Sequence, residues 1–157
     1  MTVTKTKISL SETGQFSKLM LKYIGADNSL RKFYEYSPSI ESFKTAIDAR
    51  SKKEINRKLL VDVIKSQYKK ASIDSSSLHI DLLLDDKTFT VCTGHQLCLF
   101  TGPLYFIYKI ISTINLSEAL KKQYPEYNFL PVYWMASEDH DFEEIKSIHL
   151  FGKIISW

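Results

Sequence analysis

Apolar positions follow a helical period in the first half of this chain and a strand, helix, strand alternation in the second. From Lys52 to Lys70, Ile55, Leu59, Leu60, Val63, Ile64 and Tyr68 line one stripe, while Lys52, Lys53, Arg57, Lys58, Lys65 and Lys69 stay mostly outside it. That spacing predicts an amphipathic helix whose basic face is solvated. Shorter helices are expected before it. Thr13 is placed to cap one carrying Phe16, Leu19, Met20 and Tyr23 and ending at Gly25. Asn28 or Ser29 caps a turn from Leu30 to Tyr36, and Ser37-Pro38 opens a third helix with Phe43 and Ile47 on one face. Ser72 to Ser77 reads as a connector, Leu78 to Leu84 as a short helix, and Asp85-Asp86-Lys87 as a turn.

A boundary is expected near Asp86, dividing a helical region, 1–85, from a second region, 86–157. Thr88 to Cys92 alternates β-branched and aromatic residues as a half-buried strand does, and Gly94 is expected to let the backbone turn sharply at its carboxyl end. Pro103 suits a first helical turn, with Leu104, Ile107, Tyr108 and Ile111 at helical spacing behind it, and the helix should run to about Gln123. After the break at Tyr124-Pro125-Glu126, Phe129 to Ala136 is apolar nearly throughout, as in a strand buried on both faces. Strand, helix, strand makes one βαβ unit with parallel strands, and the fold class is α/β.

Composition narrows the function classes. With 44% hydrophobic and 13% aromatic residues in 157, the chain can bury a core. The net charge of +3 comes from 21 basic and 18 acidic side chains that are well mixed, so neither nucleic acid nor an anionic membrane is an expected partner. Two cysteines, Cys92 and Cys98, match neither a zinc knuckle nor a redox pair, and a reducing cytoplasm is the expected location. The longest apolar run, Leu97 to Ile114, is interrupted by Thr101, Gly102, Pro103 and Lys109, so no membrane span is expected.

Two polar clusters fall at strand ends. Gly94-His95-Gln96 follows the first strand, and Ser137-Glu138-Asp139-His140-Asp141-Phe142-Glu143-Glu144 follows the second. In open α/β sheets ligands bind at the carboxyl edge, and a helix mouth such as that after Thr101-Gly102 favours anionic groups through its free N–H donors. A carboxylate beside a histidine can orient the imidazole for acid or base chemistry, and the same acids could hold Mg²⁺. Ser137 as a helix cap followed by acids in the first turn is a second reading, compatible with the first, and capping alone explains Glu138 better than it explains His140. No zinc site is expected. His79 and His149 lie among apolar neighbours and read as satisfied, non-catalytic histidines, and the apolar neighbours of Cys98 would raise its thiol pKa, which argues against a nucleophile.

Thr93-Gly94-His95-Gln96, Leu99-Phe100-Thr101-Gly102-Pro103-Leu104-Tyr105, Tyr108-Lys109 and Trp134-Met135-Ala136-Ser137-Glu138-Asp139-His140-Asp141-Phe142-Glu143-Glu144 closely resemble the bacillithiol biosynthesis cysteine-adding enzymes, the cysteine ligases of that pathway. Leu30 to Pro38 resembles the family's amino-terminal segment more faintly. Where many relatives have Gln, this chain has His95. The resemblance implies a Rossmann-like, nucleotidyltransferase-type core beginning in 86–157, with further domains and a carboxyl-terminal coiled coil through which a homodimer could form. It implies amide formation between the cysteine carboxyl group and the amine of glucosaminyl malate, with ATP or another nucleotide suggested by analogy alone. Asp139 and His140 would be catalytic, engaging the amine or a metal. Gly94, His95, Gln96, Thr101, Gly102, Lys109 and Glu138 would bind substrate or nucleotide. Two alternatives stay open: an inactive fragment, and a small nucleotide-binding module without ligase chemistry.

Overall fold

A computed structural model describes residues 4–157, which divide into two compact units between Lys53 and Glu54. In the first unit, helix α1 spans Lys18–Ile24 and helix α2 spans Ser42–Arg50, with a 3-10 turn at Asn28–Phe33 between them. Helix α1 is capped by Ser17, whose hydroxyl accepts from the Met20 N–H, rather than by the expected Thr13. Thr13 instead turns its hydroxyl back onto the Leu10 carbonyl, a local bond that competes with capping. Asp27, one residue ahead of the expected pair, caps the 3-10 turn by accepting from Ser29. Helix α2 begins later than Ser37-Pro38, and Ile47 is its buried residue.

In the second unit, helix α3 spans Arg57–Lys70, capped by the Asn56 side chain on the Leu59 N–H. Val61 from α3 packs with Ile80 and Leu83 of the 3-10 turn Ile80–Leu84, and Ile64, Tyr68 and Leu130 close around them. Strand β1 spans Thr88–His95, helix α4 Leu104–Gln123 and strand β2 Asn128–Met135. The two strands are parallel and in register from Thr88↔Asn128 to His95↔Met135. This is the expected βαβ unit, and its carboxyl ends lie side by side.

Helix α4 lies on this sheet with Phe106, Thr113, Ser117 and Leu120 buried. The expected stripe of Leu104, Ile107, Tyr108 and Ile111 is instead exposed. Both polar residues on the buried face are satisfied within the helix: Thr113 Oγ1 donates to the Lys109 carbonyl and Ser117 Oγ to the Thr113 carbonyl. Strand β2 is half-buried rather than buried on both faces, and Trp134 and Met135 at its carboxyl end are exposed, because α4, α3 and the Ile80–Leu84 turn cover only part of a two-stranded sheet. Pro131, which cannot donate a ladder bond, sits within β2 opposite Val91, where a two-stranded sheet leaves one edge of each strand unpaired.

The remaining elements are a single turn, α5, at Phe142–Ile145 and an antiparallel hairpin of β3, Ser147–Leu150, with β4, Lys153–Ser156. Phe151 and Gly152 form its two-residue loop, both with positive φ, as such hairpins require. The hairpin was not expected. Its residues are largely exposed, so no alternation of buried and polar positions marks it.

Candidate functional site

Gly94 does not turn the chain. Strand β1 continues through it to His95, and a side chain at Gly94 would stand 3.0 Å from both Cβ and the carbonyl oxygen of Trp134 on the neighbouring strand. Close strand approach is therefore what requires glycine here. The turn falls later, where Phe100, Thr101 and Gly102 have φ of 47°, 69° and 59° in succession. A Cβ at Gly102 would lie 2.3 Å from the Cβ of Cys98, so the loop folds tightly back on that cysteine.

The loop draws together groups that the residue pattern did not connect. His95 Nδ1 lies 2.9 Å from the Gln96 carbonyl oxygen, and Nε2 lies 2.7 Å from the hydroxyl of Tyr105, in the first turn of α4. The Cys98 sulfur sits 3.4 Å from Nδ1 and 3.5 Å from the same carbonyl. Across the sheet, the Tyr133 hydroxyl donates to the His95 carbonyl at 2.7 Å, while Phe106 packs edge-on against both rings. Lys109, one helical turn beyond Tyr105, donates to the Gly94 carbonyl at 3.2 Å with its ammonium 5.3 Å from the Tyr105 ring centre. Gln96 is 4% exposed, and its side-chain nitrogen has no partner among the described residues.

Burial pushes the Cys98 thiol up, the Glu144 carboxylate adds to this, and Lys109 opposes it. Burial and then Glu144 likewise push the Tyr105 phenol up, and burial leads the rise at Tyr133. Glu144, on α5, thus brings the second polar cluster into the field of the first. The expectation that its surroundings would raise the Cys98 thiol holds.

The second cluster leaves β2 directly beside His95: the Ala136 N–H donates to the His95 carbonyl at 3.3 Å. Ser137 caps no helix, and α5 starts after Asp141 instead. Glu138 accepts from the Trp134 indole at 3.1 Å. Asp139 Oδ1 accepts from the backbone N–H of His140 at 2.8 Å, so it fixes the turn and not the imidazole, which has no hydrogen-bond partner among the described residues. Both residues are exposed, as are His79 and His149, which are not held in apolar surroundings. Thr101 donates its hydroxyl to the Phe100 carbonyl within the loop. The residue pattern weighs Cys98 only as a nucleophile and Glu144 only as one member of the acidic cluster, and it does not single out Tyr105 or Tyr133 as site residues. Of these two, Tyr105 had a signal, since a hydroxyl two residues past the helix-opening proline falls at the strand-end edge.

Among the described residues no group of three or more His, Cys, Asp and Glu side chains could hold a metal ion, and no helix is long and apolar enough to cross a membrane. Trp134 and Cys98 occupy the space in which a Cβ would stand at Gly94 and Gly102, so the room freed by these two glycines is filled by the protein's own side chains.

A family model described as the N-terminal Rossmann-like domain of bacillithiol biosynthesis BshC matches residues 1–157. The chain belongs to this family. Three proteins, each named "Putative cysteine ligase BshC", illustrate the range of similarity. That of Flavobacterium psychrophilum is 53% identical over 154 residues, covering 96% of this chain and 29% of its own length. Those of Cytophaga hutchinsonii and Bacillus licheniformis are 45% and 32% identical, covering 96% and 92% of this chain and 29% and 26% of theirs. The chain thus spans under a third of the length of these BshC relatives, and its parallel sheet with α4 is part of a Rossmann-like domain.

Proposed function

We propose that this chain forms the amino-terminal part of a cysteine ligase of bacillithiol biosynthesis, one that joins the carboxyl group of cysteine to the amine of glucosaminyl malate. The observation that carries the reading is the family match over the whole chain, together with both motif clusters meeting at one sheet edge through the His95 carbonyl. A carbon–nitrogen ligase must hold a carboxyl and an amine side by side, and the carboxyl edge of a parallel sheet is where such folds take ligands.

In this proposal His95, Gln96, Thr101 and Lys109, with the backbone at Gly94 and Gly102, receive the carboxylate-bearing substrate. Asp139 and His140, helped by Glu138, orient the amine. The exposure of Asp139 and His140 suits contact with a ligand, since neither side chain is needed for packing. A cytoplasmic location and a homodimer made through parts of the ligase beyond this segment belong to the same proposal.

The test is complementation of a cell lacking its cysteine-adding enzyme by full-length protein carrying this segment, read by mass spectrometry of low-molecular-weight thiols. Bacillithiol should reappear, and Asp139→Asn or His140→Ala should reduce it with little change in melting temperature. Accumulated glucosaminyl malate without bacillithiol, despite soluble protein, would refute the ligase reading.

A further inference from the structure

Neighbouring residues of β2 point to opposite faces of the sheet. Tyr133 meets Phe106 of α4, and Trp134 therefore faces the other side, where the Val61 cluster of α3 closes over Leu130 but leaves Trp134 60% exposed. The indole is nevertheless fixed. Its Cδ1 stands 3.5 Å from the position a Cβ would take at Gly94, and its Nε1 donates to Glu138 Oε1 at 3.1 Å. Both anchors lie on the five-membered ring, so one edge of the indole is held and most of the ring is open; it makes no contact with another ring among the described residues. Glycine at position 94 thus does more than permit close strands, since a side chain there would push the indole off its seat.

We propose that Trp134 is a sugar-binding residue, on which the glucosamine ring of the amine-bearing substrate stacks. The proposal rests on the ligase reading above and adds to it the residue that seats the sugar. In a glucose-type ring the hydroxyls and the amine lie around the rim, while C–H bonds cover the faces. Those hydrogens, made slightly positive by the neighbouring oxygens, are attracted to the negative face of an indole, and stacking also takes apolar surface out of water.

The rim of such a ring matches what surrounds Trp134. Glu138 engages the indole through Oε1, and its second carboxylate oxygen is left to accept from a sugar hydroxyl. Asp139 and His140 follow directly in the chain and are exposed, so a ring lying on Trp134 with its hydroxyls at Glu138 brings its amine toward the two residues that orient it in the ligase reading. An apolar protein surface laid over Trp134 would bury the Glu138 carboxylate without donors, a cost that a hydroxyl-rimmed ligand avoids. A purine would stack as well, but its rim is mostly acceptor nitrogens, which a carboxylate repels.

Full-length protein labelled with fluorotryptophan tests this without turnover. Trp134→Phe identifies the Trp134 fluorine resonance by its loss; glucosaminyl malate should shift that resonance in the wild type, and ATP should not. Steady-state kinetics gives an independent reading. Trp134→Ala should raise KM for glucosaminyl malate about tenfold while KM for cysteine and the melting temperature stay nearly unchanged. Trp134→Phe, which restores a ring, should recover much of this loss, and Trp134→Leu, which restores bulk without a π-face, should not. Should Trp134→Ala fail to fold, the fluorine shift and the comparison of Phe with Leu still decide. A resonance indifferent to glucosaminyl malate would overturn the proposal by showing that other parts of the ligase cover the indole, and one moved by ATP instead would overturn it by showing that a base stacks there. Equal KM for glucosaminyl malate in the Phe and Leu variants would do the same. Failure of the ligase reading looks different: a Trp134 resonance that shifts with glucosaminyl malate in a protein that forms no amide keeps the sugar site and refutes the ligation.

Discussion

Gly102 shows at the level of one residue what the loop after β1 costs to build. Its φ of 59° is unfavourable for any L side chain, and a methyl group there would also stand 2.3 Å from the Cys98 Cβ. Gly152 in the β3–β4 turn shares the positive φ, 73°, but has nothing within 4 Å of the same position. Gly152→Ala should therefore cost only the conformational term, about 1 kcal/mol. Gly102→Ala should cost about 3 kcal/mol or more, because contact and conformation act together. Urea denaturation of the two variants checks this, and equal losses would mean that the loop relaxes away from Cys98. Glycine in Thr93-Gly94-His95-Gln96 was legible as special, but its reason was not. Only the register of β1 against β2 shows that Gly94 faces Trp134, and register is a property of two strands distant in the chain.

The elements themselves were more legible than the bonds between them. Parallel β1 and β2 with α4 between them followed from a strand period, a proline-opened helix and an apolar strand. Helix α3 followed from its stripe. What the stripe concealed is Arg57, placed by periodicity on the solvated basic face. Its guanidinium instead donates to the carbonyls of Leu83, Thr88 and Asp86 at 2.9, 3.2 and 3.3 Å and pairs with the Asp86 carboxylate at 3.2 Å. One side chain thereby holds the start of α3, the end of the 3-10 turn and the entry to β1. Such contacts span 26 to 31 residues and leave no periodic trace. Arg57→Lys should destabilise the chain by about 1–3 kcal/mol, since a single ammonium cannot reproduce a planar fork spread over three carbonyls. Lys58→Ala, which breaks an exposed pair with Asp62 on the same helix, should change stability by roughly 0.5 kcal/mol or less. Chemical denaturation separates them, and comparable effects would show that Arg57 is no more than another surface cation.

At the scale of the molecule, the sheet that positions the site has two strands, and each has one edge without a ladder partner among the described residues. Unpaired edges recruit further strands, and a two-stranded sheet is of marginal stability by itself. Apolar side chains extend the problem beyond the edges: Leu104 and Tyr108 on α4 are 64% and 62% exposed, and Trp134 at the end of β2 is 60% exposed. Leu120, by contrast, is the one large side chain among the described residues with essentially no exposure. The BshC relatives matched here are more than three times as long as the segment they share with it, which is the scale of structure that a Rossmann-like sheet of more strands would occupy. The 157-residue chain by itself should consequently associate through these edges and faces as concentration rises. Sedimentation velocity should show a weight-average mass climbing with loading concentration, and Leu104→Glu with Tyr108→Glu should reduce the climb by placing charge on the open side of α4 without touching its buried residues Phe106, Thr113, Ser117 and Leu120. A sharp monomer boundary at all concentrations, with one cooperative melt, would mean that this βαβ unit covers its own apolar surface better than its side-chain exposures indicate.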